Sequence, residues 1–190
     1  MNISCPICEL ESLQFITRDL RFDKKGDVYR CLDCELVFLD QKSFQLPEGF
    51  YENEYHQSYL THVEPDALDP NAYFDKMLKV SAPWAKRFEG LLSGDDTILD
   101  MGCSTGHFMH LIEHKTKKVY GHELSIKEVA FCQDVKGLDV SNQPLGERFE
   151  PGTFDFITLI FVLEHISEPV VFLEYLKKFL KPGGKILIVV

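Results

Sequence analysis

The sequence predicts an α/β protein in which a doubly wound, mostly parallel sheet follows a small cysteine-rich unit. From Thr97 onward, short apolar segments alternate with segments of helical periodicity, as they do when parallel strands are connected by helices. Upstream, four cysteines stand in two C-x-x-C pairs. With 190 residues and 45% hydrophobic content, the chain can bury one main core and a small satellite. We expect a cysteine-rich unit at residues 1–45, a connector with a helical lead-in at 46–93, and the sheet domain at 94–190.

Charge and hydropathy exclude two classes of partner. Twenty Lys and Arg face 30 Asp and Glu, so the net charge of -10 repels a phosphate backbone, and we expect no nucleic-acid partner. The longest apolar runs, such as "FITLIFVL", are shorter than the ~18 residues that a membrane span needs. The start, "MNISCPICEL", has no basic region followed by a long apolar one. We expect a cytoplasmic protein with no membrane partner, in which the cysteines stay reduced.

The paired cysteines predict a structural zinc site. Cys5 and Cys8 form one pair and Cys31 and Cys34 the other, with 22 residues between the pairs. Two residues between thiolates let one tight turn direct both sulfurs at one ion, and two such turns complete a tetrahedron of Zn²⁺ ligands. The intervening segment, with Gly26 in its predicted turn, suits the hairpin of a zinc ribbon. Buried free thiols are the alternative.

Two features of this ribbon bear on its role. Glu9 and Glu35 follow the second cysteine of each pair, where zinc ribbons often have glycine, so we expect a weakened site. Residues 1–40 hold more acidic than basic side chains, which argues against a nucleic-acid finger. A four-sulfur shell leaves zinc no open position for catalysis, and we interpret the ribbon as a docking or lid element.

The connector contains an aromatic stripe and then a helix. Tyr51, Tyr55 and Tyr59 recur every fourth residue and share one helical face, which favours packing, although phenol hydroxyls also suit polar recognition. The segment "NAYFDKMLKVSAPWAKRFEGLL" reads as a helix that is interrupted or restarted at Pro83, with Ser81 as a candidate cap.

Local signals then delimit the elements of the sheet domain. Ser125 and Glu128 have the spacing of a capping box, and Pro169 suits the first turn of a helix. We expect Lys181–Gly184, "KPGG", to stop that helix before the last strand. The strand patterns are "TILDM", "KVYGHE", "GLDVS", "TFDFITLIF" and "KILIVV". His107, His110 and His114 share a helix at metal-ligand spacing, but a solvated face is favoured because no cysteine or carboxylate cluster with ligand spacing accompanies them.

The turn after the first of these strands carries the main functional signal. Gly102 and Gly106 let a backbone approach a ligand, and Asp100 can accept an amine or a hydroxyl. The spacing G-x-x-x-G lacks the third glycine of the G-x-G-x-x-G turn that seats a pyrophosphate. Glu123 ends the next strand, 23 residues after Asp100, where a carboxylate can accept both ribose hydroxyls. An ammonium site beside a ribose site indicates S-adenosylmethionine.

These segments carry a family resemblance. "LDMGCSTGHF" resembles the first motif of the class I S-adenosylmethionine-dependent methyltransferases, which have a Rossmann-like core, and "GHELS" resembles their ribose-binding acid. The stretch from Phe154, "FDFITLIFVLEHISEPVVFLEYLKKFLKPGGKILIVV", is similar to their fourth strand, following helix and fifth strand. The N-terminal ribbon resembles that of zinc-binding C-methyltransferases acting on nucleotide-linked sugars. The resemblance implies four further cofactor contacts, at Cys103, Ser104, Leu124 and Phe161.

The resemblance also suggests catalytic residues. Many small-molecule methyltransferases have the pair "EH" after the fourth strand, where this chain has Glu164 and His165. His165 is the candidate general base or substrate-orienting residue, and helix capping or a satisfied histidine is an equal alternative. The Glu-His pair that the sugar C-methyltransferases have beyond the fifth strand is a different pair, in a region that the 190 residues do not include.

The family's sheet has seven strands, and five strand patterns are present here. We therefore expect this chain to be an incomplete methyltransferase. Its fifth strand, Ile186 to Val190, would be an edge that invites self-association unless another segment covers it. We expect the chain to bind the cofactor weakly or normally and to methylate poorly or not at all.

The sequence thus predicts an S-adenosylmethionine-dependent methyltransferase with a structural Zn²⁺ and a small-molecule acceptor, such as a sugar or another metabolite carbon or hydroxyl. The first alternative is a catalytically inactive cofactor-binding or ribbon-mediated interaction module. The second is a nicotinamide-dependent oxidoreductase, which the missing third glycine disfavours.

Overall fold

The computed structural model describes residues 3–20, 24–44 and 69–190. The tyrosine stripe predicted at Tyr51, Tyr55 and Tyr59 lies outside these residues. The chain divides into two compact units, one of Met1–Glu48 with Ile166–Glu174 and the other of Gly49–His165 with Tyr175–Val190. Within the described ranges, no helix is both long and apolar enough to cross a membrane.

The first unit contains a three-stranded antiparallel sheet. Its strands are β1 (Leu13–Asp19), β2 (Lys25–Cys31) and β3 (Val37–Leu39), in the order β1-β2-β3. The predicted hairpin is therefore present, but Gly26 lies inside β2 and not in the turn. A Cβ atom at Gly26 would be 2.8 Å from Leu39 Cδ1 and 3.0 Å from Phe44 Cβ, so close packing explains the glycine.

The second unit contains the predicted parallel sheet of five strands. They are β4 (Thr97–Met101), β5 (Lys118–His122), β6 (Val140–Ser141), β7 (Phe154–Ile160) and β8 (Leu180–Val189). Their spatial order is β6-β5-β4-β7-β8, and every neighbouring pair is parallel. The order reverses between β4 and β7, which makes the carboxyl ends of these strands the switch point where ligands bind in doubly wound sheets.

The described residues contain the helices α1 (Pro70–Glu89), α2 (His107–Ile112), α3 (Ile126–Asp134), α4 (Leu145–Arg148) and α5 (Pro169–Lys177). The predicted interruption at Pro83 is wrong, because α1 runs through this residue and Ser81 lies buried inside the helix. Asp69 is the N-cap and accepts hydrogen bonds from the backbone of Asn71 and Ala72. Buried Phe74 and Phe88 lie on opposite sides of the proline, so the packing of both halves outweighs one lost backbone bond.

Two further local predictions differ from the structure. Ser125 precedes α3, but its side chain makes no capping hydrogen bond to the helix, and its N–H donates to Glu123 Oε1. The predicted capping box is therefore not formed. Helix α5 begins at Pro169 as expected but ends at Lys177, before the "KPGG" segment. That segment belongs to β8, where Gly183 has a φ of 82° and the pairing with β7 shifts register between Phe154 and Phe156.

Apolar side chains on the helices and strands of the second unit form its core. Ile98, Met109, Ile112 and Cys132 are fully buried there. Gly121 of β5 is at the tightest point of this core, since a Cβ atom there would lie 2.7 Å from Cys103 Sγ, Met109 Sδ and Val140 Cγ2. The end of β5 can therefore approach the turn after β4 only because residue 121 has no side chain.

We predict that Gly121→Ala lowers the free energy of unfolding by about 1 to 3 kcal/mol, because the added methyl overpacks a core of buried side chains. Denaturant unfolding measures this loss. Gly146→Ala is the matched control, since Gly146 lies in α4 with no atom within 4 Å of the new methyl. The control should gain up to about 1 kcal/mol from helix propensity, and equal effects of the two substitutions would contradict the packing argument.

Candidate cofactor site

A buried acid and a threonine meet at the switch point. Asp100 of β4 pairs with Thr158 of β7, and the Thr158 hydroxyl donates a hydrogen bond of 2.5 Å to Asp100 Oδ1. Asp100 is 2% exposed and Thr158 is fully buried. Burial raises the pKa of Asp100 to about 7; the Thr158 hydrogen bond opposes this shift, and the charge of Glu123 adds to it. A cation that reached this carboxylate would favour its ionised form.

The backbone after β4 turns sharply through two glycines in the left-handed region. Gly102 has a φ of 66° and Gly106 a φ of 75°. A Cβ atom at Gly102 would lie 2.6 Å from Val162 Cγ2, and one at Gly106 would overlap the Leu138 side chain. The Gly102 N–H donates to the His122 carbonyl at 2.8 Å, which ties the turn to the end of β5. Both predicted glycines are therefore required by conformation and by space.

Glu123, directly after β5, faces this turn. Its Oε2 accepts the Ser104 N–H at 3.0 Å and its Oε1 accepts the Ser125 N–H at 2.9 Å. Burial raises its pKa, while the backbone hydrogen bonds of Ser125, Ser104 and Leu124 oppose this shift. Each carboxylate oxygen carries two lone pairs, so this arrangement keeps acceptor capacity for two more hydroxyls.

The remaining predicted cofactor residues border the turn. Leu124 and Phe161 follow β5 and β7, and each is 43% exposed. Phe161 has a φ of 56°, which is strained for an aromatic residue. Ser104 has a φ of 50°, and its hydroxyl donates to Glu128 Oε1 at 2.9 Å. Cys103 is 3% exposed and packs beside Gly121, so its side chain lies in the core.

The candidate catalytic pair lies just beyond β7. Glu164 and His165 are both exposed, in a short 3₁₀ turn of Leu163–His165. The His165 N–H donates to the Val162 carbonyl at 2.9 Å, which anchors the turn. Both residues thus follow the strand that carries Thr158, on the carboxyl side of the sheet.

The three histidines in α2 and the short 3₁₀ turn after it, Glu113–Lys115, differ from the prediction at one position. His110 and His114 are exposed as expected, whereas His107 is 7% exposed, with Nδ1 3.2 Å from Thr105 Oγ1. Burial lowers the pKa of His107 to about 4, so this histidine is neutral near pH 7. It starts α2 directly after the glycine turn, where the helix enters the core, and the predicted solvated face is wrong for it.

The four N-terminal cysteines converge in the first unit. The sulfurs of Cys5, Cys8, Cys31 and Cys34 all lie within 4.8 Å of one another, and they form the only group in the described residues suited to a metal ion. Tetrahedral Zn²⁺ with bonds of about 2.3 Å would place its sulfurs about 3.8 Å apart, so this donor set fits zinc.

The turns at these cysteines keep the geometry that glycine normally supplies. Glu9 has a φ of 62° and Glu35 a φ of 63°, both in the left-handed region. The Glu9 N–H donates to the Cys5 carbonyl and the Cys31 N–H to the Leu36 carbonyl, at 2.9 and 2.8 Å. The two glutamates therefore adopt the turn at a conformational cost of roughly 1 to 2 kcal/mol each, which glycine would avoid.

A family model described as a methyltransferase domain matches residues 59–190, which is most of the chain. The chain belongs to the methyltransferase-domain family. The expected class I methyltransferase core, with its Rossmann-like α/β fold, is confirmed.

Curated relatives of this methyltransferase domain differ in their acceptors. A ubiquinone biosynthesis O-methyltransferase from Caulobacter vibrioides is 33% identical over 134 residues, which are 66% of this chain and 48% of the relative. A tRNA U34 carboxymethyltransferase from Campylobacter curvus is 27% identical over 99 residues, or 48% of this chain and 33% of the relative. The chain spans about half the length of the ubiquinone-pathway relatives, 53% and 48% in two of them.

A solved structure supports the fold. The PH0226 protein from Pyrococcus horikoshii matches with a TM-score of 0.53 and 18% sequence identity, covering 71% of this chain and 64% of that protein.

Two residues of the site escaped the sequence analysis. Thr158 lies within an apolar strand that gives no local sign of function. Its role as the hydrogen-bond donor to Asp100 follows only from the parallel register that pairs the two residues. Glu128 has the spacing of a capping residue, but its carboxyl group accepts a hydrogen bond from the Ser104 hydroxyl in the turn after β4. In both cases the signal lies in the pairing of elements that are distant in the chain.

We predict that Asp100→Asn stabilises the ligand-free domain increasingly as the pH rises from about 4 to about 7. The folded-state pKa of about 7 lies above the ordinary value of 3.8, so the wild type loses stability across that interval while asparagine does not titrate. The gain should be at most about 4 kcal/mol and level above pH 7. Denaturant unfolding of both proteins at pH 5, 6, 7 and 8 measures it.

Asp155→Asn is the control for this pH series. Partial burial raises the pKa of Asp155, but hydrogen bonds from Lys181 and the Thr97 N–H outweigh burial and hold it below its ordinary value. Its stabilising effect is therefore complete above about pH 4, and the difference between this variant and the wild type should be constant from pH 5 to 8. A constant difference for Asp100→Asn as well would contradict the raised pKa of Asp100.

Proposed function

We propose that this chain binds S-adenosylmethionine at the carboxyl ends of β4 and β5 and transfers its methyl group to a small-molecule acceptor. One observation carries the proposal. Two acids, buried Asp100 and half-buried Glu123, bracket a turn whose glycines have left-handed backbone conformations and no room for a side chain. This arrangement occurs at the switch point of a doubly wound sheet.

The two acids suit the two ends of the cofactor. Asp100 would accept the ammonium of the methionine end, and the cation would in turn favour the ionised carboxylate. Glu123 would accept the ribose hydroxyls with its remaining lone pairs. The turn at Gly102 and Gly106 would contact the cofactor through backbone alone, and Cys103, Ser104, Leu124 and Phe161 would complete its surroundings.

Bound S-adenosylmethionine supplies an electrophilic methyl group on a positively charged sulfur. The chain's own residues contribute by position, since a displacement needs the nucleophile, the methyl carbon and the sulfur in line. An oxygen or carbon acceptor also loses a proton. His165, exposed beyond β7, would take this proton at a ring nitrogen, and Glu164 beside it would help to orient the acceptor.

A small-molecule acceptor is favoured by charge. The net charge of -10 disfavours a polyanion, although curated relatives include tRNA U34 carboxymethyltransferases as well as ubiquinone biosynthesis O-methyltransferases. Turnover assays with phenolic and sugar-hydroxyl acceptors, run beside bulk tRNA, test this choice. Methyl transfer from labelled S-adenosylmethionine to tRNA alone would overturn the small-molecule acceptor and leave cofactor binding intact.

We predict that Glu123→Ala weakens binding of S-adenosylhomocysteine by about 1 to 3 kcal/mol, because the ribose loses hydrogen bonds to a charged group. Calorimetric titration of the wild type and the variant measures the change. Asp134→Ala is the matched control, since Asp134 ends α3 as an exposed acid and should leave the affinity unchanged. Equal affinities of wild type and Glu123→Ala would refute the ribose assignment.

Two further titrations separate the alternatives. NADH should not bind, and tight NADH binding without S-adenosylhomocysteine binding would favour a nicotinamide oxidoreductase. Normal binding of S-adenosylhomocysteine without turnover on any acceptor would favour a cofactor-binding module that has lost its activity.

We also propose that Cys5, Cys8, Cys31 and Cys34 hold one structural Zn²⁺. The support is the convergence of four sulfurs on turns with the required backbone conformation. Four thiolates complete the tetrahedral shell, so this ion would stabilise the ribbon and take no part in methyl transfer.

We predict about one zinc ion per wild-type chain and a clear loss of zinc in Cys31→Ser, because three thiolates bind the ion more weakly than four. Elemental analysis of purified protein measures both. Cys132→Ala is the control, since this thiol is buried outside the cluster. Equal zinc content in wild type and Cys31→Ser would eliminate the site.

A further inference from the structure

Each polar group of Ser104 makes a hydrogen bond, although the residue has a left-handed backbone conformation that favours glycine. Its φ is 50°. Its N–H donates to Glu123 Oε2 at 3.0 Å, and its hydroxyl donates to Glu128 Oε1 at 2.9 Å. Its carbonyl accepts from Cys132 Sγ at 3.3 Å. Since the conformation is unfavourable for a serine, these contacts must stabilise the turn that the proposed cofactor site requires.

Glu128 reaches this turn from another element. It lies in the first turn of α3, and only 6% of the residue is exposed. Burial raises the pKa of Glu128 to about 8, the charge of Glu123 adds to this shift, and the Ser104 hydrogen bond opposes it. A neutral Glu128 would place no second negative charge beside Glu123, whose carboxyl group would meet the ribose hydroxyls.

We propose that Glu128 is a positioning residue for the cofactor, acting through Ser104 to fix the turn and the Glu123 carboxylate in the arrangement that receives the ribose. This inference rests on the proposed function. It adds to the site a helical acid that contacts the turn and not the cofactor. The Ser104 hydroxyl makes the hydrogen bond between Glu128 and the turn, so we expect the effect of Glu128 on cofactor affinity to depend on this hydroxyl.

A double-mutant cycle measured by calorimetric titration with S-adenosylhomocysteine tests this dependence. Glu128→Met keeps the length of the side chain but accepts no strong hydrogen bond, and it should weaken binding about tenfold. Glu128→Gln keeps an acceptor oxygen and a neutral group, and it should stay within about twofold of the wild type. In a Ser104→Gly background, where no hydroxyl is present, Glu128→Met should add less than about a twofold loss.

Each outcome decides the proposal. Wild-type affinity in Glu128→Met, an equal loss in Glu128→Gln, or the same tenfold loss in the Ser104→Gly background would overturn it. If Glu128→Met does not fold, Ser104→Ala removes the same hydrogen bond from the other side and should itself weaken binding about tenfold; wild-type affinity there would overturn the proposal.

Two controls separate other causes. Val119→Ala removes buried methyl groups near the amino end of β5, and it should lower the unfolding temperature without changing the affinity. A loss of affinity in this variant as large as that in Glu128→Met would overturn the specific role of Glu128. If the wild type itself does not bind S-adenosylhomocysteine, the proposed function fails, whereas binding with additive effects means that only the positioning role fails.

Discussion

The parallel pairing of β4 with β7 determines the rest of the site. These strands are separated in the chain by β5, β6 and three helices, yet they are neighbours in the sheet, and the strand order reverses between them. Asp100 is held opposite Thr158 by this register, and the buried hydrogen bond between them gives one polar partner to a carboxyl group that burial would otherwise leave unsatisfied. The chain that leaves β4 then bends at Gly102 and Gly106, both in the left-handed region, where neighbouring side chains leave no space for a Cβ atom.

The second determinant is a group of three acids around that turn, of which Asp100 and Glu128 are buried and Glu123 is half-buried. Asp100, Glu123 and Glu128 come from β4, the end of β5 and α3, and burial raises the pKa of all three. A ligand-free protein gains no stability from such an arrangement, because ionising these groups is unfavourable without a counter-charge or further donors. Groups of this kind are typical of sites whose favourable interactions are completed by a ligand, and the ammonium and hydroxyls of the proposed cofactor are suitable donors.

Sequence periodicity predicted the elements well, and it predicted contacts between distant elements poorly. The five strands follow from apolar runs, and β4 coincides with the predicted "TILDM". Helix α1 continues through Pro83 because tertiary packing on both sides outweighs a local signal. The Ser125 and Glu128 pattern has the spacing of a cap, but Glu128 turns to Ser104, and no local rule anticipates a bond across 24 residues.

In the ribbon, too, the sequence predicts one feature correctly and another poorly. Two C-x-x-C pairs are sufficient to predict converging sulfurs, which the structure contains. The glutamates that follow these pairs suggested a departure from the usual turn, yet Glu9 and Glu35 adopt the left-handed conformation that glycine would. Backbone hydrogen bonds within each turn hold this geometry. The sequence shows that glutamate is unfavourable in a left-handed turn. It does not show whether the fold imposes that turn on the glutamate.

A crystal structure of this chain with S-adenosylhomocysteine tests the central claim most directly. The account predicts the ligand at the carboxyl ends of β4 and β5, with its amino group near Asp100, its ribose hydroxyls on Glu123 and its chain across Gly102. Ligand density at the cleft lined by Ser93, Asp155 and Lys185, or anywhere away from the turn, would contradict the account.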